Sequence, residues 1–266
     1  MLGLRIMTGL VLGAVVTVAI LFLPTLQAAA VLGFLWVAGA WEWAGLAGMG
    51  HRTRVAYAVL LLVAMIVLVP WRAAPGFVDL ALVVALVGWC IALAGVLTFP
   101  RPVRPAWVLI AGPFALLPAW FLLMVIHAQG MSGPALALLA LGLVWAADVG
   151  AYAAGRTLGR VKLAPRVSPG KTWEGVAGGV AFALLVSWLV SRWLPLPLLP
   201  LLAIATVTAL VSVVGDLTVS MLKRSVGLKD SGRLLPGHGG VMDRIDGLVA
   251  AVPAYAAGLR VTGFLG

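Results

Sequence analysis

The chain has 266 residues, of which 63% are apolar and only 10% charged, and its mean hydropathy is +1.15. A soluble domain is nearer about 45–50% apolar and about 25% charged, and surface-to-volume scaling prevents a globule of this size from hiding so much apolar surface from water. A soluble enzyme, a disordered tail and a nucleic-acid-binding domain are therefore excluded, and lipid is the solvent for most of the protein.

A membrane-spanning helix needs about 20 mostly apolar residues. In chain order the sequence predicts nine, at about 6–24, 28–49, 55–71, 77–99, 106–126, 134–155, 173–191, 196–222 and 244–263. The expected fold is all-α, a polytopic integral membrane protein. Turn formers separate the runs: Pro24, His51 to Arg54, Pro75-Gly76, Pro100 to Pro105, and Gln129 to Gly133. Arg5, an apolar run and Ala28-Ala29-Ala30 mimic a cleavable signal. The run is nearer 18 residues, longer than the usual 7–15 or so of a signal core, and reads as a retained span. Two breaks are long, 156–172 and 223–243, and no internal repeat is visible. The chain divides into 1–133, with about five spans, and 134–266, which carries both long loops.

The net charge of +10 fits basic cytoplasmic loops, anionic headgroups and an anionic substrate. Cys90 is the only cysteine, so neither an internal disulfide nor a thiolate metal site can form. Fifteen of the 18 Lys and Arg residues fall on the N-terminal side of the predicted spans; Arg72, Arg192 and Arg260 fall on the other. The positive-inside rule then places the N-terminus and both long loops in the cytoplasm and the C-terminus outside the inner cell membrane.

Six of the eight acidic residues lie between 148 and 246. A carboxylate at mid-membrane costs at least about 2.5–3.5 kcal/mol, so it needs a partner or a function. Asp148 and Asp216 each sit roughly 10 Å below the cytoplasmic end of their spans at 1.5 Å per residue. Asp243 and Asp246 open the ninth span on one helix face. Three helices can thus deliver carboxylates to one cavity. Without Cys or paired His this is a hard, all-oxygen set suited to Mg²⁺. The plainer alternative is pairing of each acid with a nearby base, for example Asp243 or Asp246 with Arg244 or Lys223. Glu42, between Trp41 and Trp43, reads as an interfacial or interhelical hydrogen-bonding group.

Both long loops look built for phosphate. The second contains Lys223, Arg224, Lys229 and Arg233, and its Gly237-His238-Gly239-Gly240 stretch leads into the ninth helix. Glycine lets backbone N–H groups approach an anion, and a helix N-terminus favours one. A flexible basic loop on anionic lipid is the bland alternative. His238 reads as a phosphate contact, a general base, a headgroup contact or a backbone hydrogen bond. The first loop ends Ser168-Pro169-Gly170-Lys171-Thr172-Trp173-Glu174-Gly175. Thr172 could cap the seventh helix with Glu174 in its first turn. Lys171 opposes the helix dipole there and makes sense beside an anion.

The segment from Ser220 to Asp246, with Lys223-Arg224, Lys229-Asp230, Gly232, Leu235-Pro236, His238-Gly239-Gly240-Val241 and Asp243-Arg244-Ile245-Asp246, resembles the full 27-position pattern of the phosphatidate cytidylyltransferases, or CDP-diacylglycerol synthases, without a mismatch. Asp148 to Tyr152, Gly155-Arg156 and Ser168 to Gly175 resemble the second block of that family. They depart from it at Val149, where Thr is usual, and at Gly170, where Lys is common. The strong resemblance covers about 100 residues; residues 1–140 share only their apolar spans.

The resemblance implies that CTP and phosphatidate give CDP-diacylglycerol and pyrophosphate with Mg²⁺, in a polytopic protein described as a dimer. It makes Asp216, Asp243 and Asp246 the metal-site acids, with Asp148 a further candidate and a second cation left open. Asp216, Lys223, Arg224, Asp243 and Asp246 form the candidate catalytic set. Ser168, Lys171, Thr172, Ser220, Lys229, Arg233, His238, Gly239, Gly240 and Arg244 form the candidate substrate- and phosphate-binding set. A CTP-dependent lipid or polyprenol kinase would share the cations and acids but attack the γ-phosphorus. A transporter would be expected to show repeats, and a membrane scaffold would not need the clustered acids.

Overall fold

The computed structural model describes residues 2–194, 196–234 and 239–265. Among them are nine α-helices: α1 (Leu2–Phe22), α2 (Thr25–Leu46), α3 (His51–Leu68), α4 (Pro75–Thr98), α5 (Pro105–His127), α6 (Gly133–Thr157), α7 (Trp173–Val190), α8 (Leu198–Ser225) and α9 (Met242–Val261). Each overlies one apolar run of the sequence, with ends shifted by about one helical turn at most. Prolines begin α4, α5 and α6 at the first or second helical position, where a missing N–H has no intrahelical partner to lose.

Seven helices, α2 to α8, are long and apolar enough to cross a bilayer. The described apolar stretch of α1 is the shorter Met7–Phe22, and α9 carries Asp243, Arg244, Asp246 and Arg260. Length and apolarity therefore mark seven crossings among the described residues, against the nine expected. The physical reason lies in how α9 packs. It is enclosed by α2, α4, α5, α6 and α8, and thirteen of its 20 residues are buried. A helix that faces other helices can be rich in Ala and Gly and carry charges at its ends without meeting lipid.

The first long break also differs from expectation. It contains a short antiparallel hairpin, β1 (Lys162–Ala164) and β2 (Ser168–Thr172), with Lys162 opposite Thr172 and Ala164 opposite Ser168. Pro169 and Gly170 within β2 hid it, since neither residue favours a strand. The fold is otherwise helical.

Indole and phenol groups fasten the apolar half. Trp36 and Trp43 of α2 donate to the carbonyls of Leu116 and Val108 in α5, at 3.0 and 2.7 Å, and Trp120 of α5 donates to that of Ala29 at 2.9 Å. Tyr255 of α9 donates to the Leu136 carbonyl of α6 at 3.0 Å. Pro113 within α5 lacks the N–H that would serve the Leu109 carbonyl four residues earlier. The Tyr57 hydroxyl of α3 donates to that carbonyl at 2.7 Å. Inside lipid no water could replace this donor. At the end away from the long loops, Arg260 of α9 grips Asp79 of α4 through Nε and Nη2, at 2.9 and 3.0 Å.

Tyr57→Phe should therefore lower the melting temperature in detergent, by the equivalent of about 1–3 kcal/mol for an orphaned buried carbonyl. Adding Pro113→Ala, which restores the ladder donor, should recover part of the loss. No recovery in the double variant would show that the hydroxyl acts elsewhere.

Candidate active site

The C-terminal end of α6, the N-terminal end of α7, the C-terminal part of α8 and the N-terminal turn of α9 gather at one end of the molecule, where α6 packs on α7, α7 on α8 and α8 on α9. The α8–α9 approach depends on Gly215. A Cβ there would collide with the Asp246 carbonyl and the Ala250 side chain. Glycine at this point brings the neighbouring Asp216 beside the helix that carries Asp246. Between the four ends lies a cavity of about 380 Å³, lined by Asp148, Asp216, Asp243, Asp246, Lys171 and Arg244. A larger cavity of about 600 Å³ lies between α4, α5 and α8, but no charged residue lines it.

The acids differ in how they are held. Asp216 accepts from Ser220 Oγ at 3.1 Å and pairs with Lys171 at 2.5 Å. Asp243 accepts from Lys223 Nζ at 2.7 Å and, on its other oxygen, from the backbone N–H groups of Ser231 at 2.9 Å and Gly240 at 3.2 Å. Asp246 accepts from the Gly247 N–H at 2.7 Å and lies in the repulsive field of Asp216 and Asp148. The Asp148 carboxylate makes no hydrogen bond or ion pair with another described residue, though the charges of Lys171 and Arg244 act on it. Lys171, the cation that helix capping leaves unexplained, therefore faces an acid. The pairing of acid with base is realised at Lys171–Asp216 and Lys223–Asp243.

No group of three or more His, Cys, Asp or Glu among the described residues is gathered tightly enough to enclose a metal ion. Mg²⁺ asks for less, namely one or two carboxylates, with water and substrate phosphate completing its shell. Four acids share this cavity, two paired with lysines and two, Asp148 and Asp246, without a cation bonded to them among the described residues. That donor set suits an open, phosphate-completed site and not a closed protein cage.

The remaining candidates divide between wall, surface and scaffold. Arg244 is exposed and lines the cavity. Arg224, Lys229 and Arg233 are exposed away from its lining, while Ser168 is half-buried in β2. Gly239 takes a positive φ of 81°, and Gly240 is buried. His238 lies outside the described residues. Thr172 is buried and its Oγ1 accepts the Gly175 N–H at 3.1 Å, the N-cap of α7. Glu174 takes the Val161 N–H, at 3.2 Å to each oxygen, and so ties the hairpin to α7.

One wall residue escaped the sequence reading of roles. Tyr152 lines the cavity one turn from Asp148, and Arg156, a further turn on, donates to its hydroxyl at 2.6 Å. The signal was the i, i+4, i+8 spacing of Asp148, Tyr152 and Arg156, which puts all three on one face of α6.

A family model described as the cytidylyltransferase family matches residues 3–262. A phosphatidate cytidylyltransferase of Pseudomonas aeruginosa is 43% identical over 273 residues, covering 99% of both chains. A phosphatidate cytidylyltransferase of Haemophilus influenzae is 35% identical, covering 96% of this chain and 98% of its own. That of Bacillus subtilis is 43% identical over 113 residues, 42% of each chain.

Thr172→Val, which keeps the shape and removes the cap, should lower stability by about 0.5–2 kcal/mol, with Thr172→Ser close to the parent. Thermal unfolding in detergent measures both. An unchanged melting curve for Thr172→Val would mean that the hydroxyl serves something other than α7.

Proposed function

The chain belongs to the cytidylyltransferase family, and from that premise we propose that it transfers CMP from CTP to phosphatidate, giving CDP-diacylglycerol and pyrophosphate. The observation that carries the reading is the polar cavity at the helix ends, where acids and cations of the 148–246 segment meet beside lipid-facing helices. A site at that boundary suits one substrate that is a lipid and another that is water-soluble.

A phosphate oxygen of phosphatidate attacks the α-phosphorus of CTP in line, the bond to the β-phosphate oxygen breaks, and pyrophosphate leaves. Such transfers depend on positioning and charge neutralisation more than on covalent catalysis. Lys171 and Arg244, on the cavity wall, meet the phosphates, and Lys171 exchanges its Asp216 contact for a phosphate oxygen. Lys223 and Arg224 lie in the last turn of α8, with Lys229 and Arg233 in the loop that follows, outside the cavity lining. One or two of the acids Asp216, Asp243 and Asp246, with Asp148 beside them, would hold Mg²⁺, which would supply charge neutralisation on the phosphates when bound.

The basic loops set the orientation. The hairpin and the 223–243 loop face the cytoplasm of the inner membrane, and counting α1 and α9 as crossings leaves the C-terminus outside.

CTP labelled at the α or the γ position separates the reading from its rival. With phosphatidate and Mg²⁺, the α label should enter the lipid fraction and the γ label should appear in pyrophosphate. Label from the γ position in lipid would replace cytidylyl transfer by a kinase reaction. Asp246→Asn should cut turnover by about 10²-fold or more with an unchanged melting curve. Turnover near the parent's would remove Asp246 from the machinery.

Orientation is tested in a Cys90→Ser background with single cysteines at Met131, exposed between α5 and α6, and at Arg166, exposed in the hairpin turn. An impermeant thiol reagent outside intact spheroplasts should label position 131 and miss 166. The opposite pattern would invert the topology.

A further inference from the structure

Glu42 lies on α2, far in sequence from every wall of the polar cavity, and is completely buried. A carboxylate in such surroundings is tolerated only where donors meet it. Its Oε2 receives two: the Ser231 hydroxyl at 2.8 Å and the backbone N–H of Met242 at 2.8 Å. Met242 opens α9, and Val241 before it offers no side-chain cap. The first N–H groups of a helix have no partner within it, and the helix end carries partial positive charge. Glu42 therefore caps α9 from a different helix.

Ser231 extends the connection. Its hydroxyl binds Glu42 while its backbone N–H binds Asp243. Gly240 donates to the same Asp243 oxygen. Gly232 and Gly240 lie flat against the Glu42 carboxylate, and a Cβ on either would run into it. Glu42 and Asp243 thus grip one short stretch of loop between them, and Asp243 in turn holds Lys223. The Oε1 atom of Glu42 has no hydrogen-bond partner among the described residues.

We propose that Glu42 is a positioning residue for the transfer reaction, seating the loop around Ser231 and Gly240 and the first turn of α9 so that Asp243, held by Lys223, and Asp246 present a fixed constellation to the cavity. For its kinetic consequence this rests on the cytidylyl-transfer reading. The seating of the loop does not.

The test compares Glu42→Ala, which removes the acceptor, with Glu42→Gln, which keeps the volume and one acceptor oxygen. A displacement of about 1 Å in a reacting constellation is worth on the order of 10²-fold in rate. Glu42→Ala should lose on the order of 10²-fold in kcat per folded molecule, with KM for CTP changed by less than about threefold, and Glu42→Gln should recover most of it. Amide hydrogen exchange at Ser231, Gly240 and Met242 should quicken in Glu42→Ala and not in Glu42→Gln. If Glu42→Ala does not fold, Glu42→Asp, one methylene short, provides the same comparison. Parental kcat per folded molecule in Glu42→Ala, with or without faster exchange, would overturn the proposal, because a purely structural group moves the melting temperature alone. A parent protein that transfers no cytidylyl group would sink the reaction reading, while faster exchange in Glu42→Ala would still uphold the seating of the loop.

Discussion

Charge cannot be left uncompensated among apolar helices, and the polar end of this molecule follows from where compensation is possible. Lys171 reaches Asp216 from the hairpin, Lys223 reaches Asp243 across the α8–α9 pair, and Ser220 supports Asp216 from its own helix. The two ion pairs each join two segments of the chain, the hairpin to α8 and α8 to α9. The same contacts leave Asp148 and Asp246 facing a shared cavity with Asp216. The site is therefore also a joint, tying the hairpin to α8 and α8 to α9.

The apolar interior obeys the same constraint with neutral groups. Indole and phenol donors reach carbonyls across α2, α3, α5, α6 and α9, and His127 bridges the Ile20 carbonyl and the Thr25 hydroxyl at 2.8 and 3.0 Å. These bonds fix helix register where Leu and Val against lipid would allow sliding. Enclosure by five helices lets α9 carry seven Ala and Gly among its 20 residues, and at Gly215 α8 comes close to the α9 backbone at Asp246.

The apolar runs and their Pro and Gly boundaries made all nine helices legible in the sequence, because lipid solvation and the loss of a backbone donor act locally. The placement of Asp243 and Asp246 in the first turns of α9, and of Asp148 and Asp216 within α6 and α8, was legible from helical spacing. The partner of each acid was not, since spacing along one helix says nothing about which lysine of another segment arrives. Lys171 illustrates this: its misfit with the α7 dipole was visible, but whether an acid or a phosphate relieved it was not. The β1–β2 hairpin was hidden by Pro169 and Gly170. Glu42 could be recognised as a hydrogen-bonding group, yet its donors stand 189 and 200 residues away.

The trans-cap on α9 has a consequence for biosynthesis. A polytopic chain enters the bilayer from its N-terminus onward, so α2 is threaded long before the ribosome reaches Ser231 or Met242. Until then the Glu42 carboxylate waits in the membrane without the two donors that satisfy it, and α9 is the segment that relieves it. A chain lacking its last helix would leave Glu42 without the Met242 N–H and the Ser231 N–H without its Asp243 acceptor.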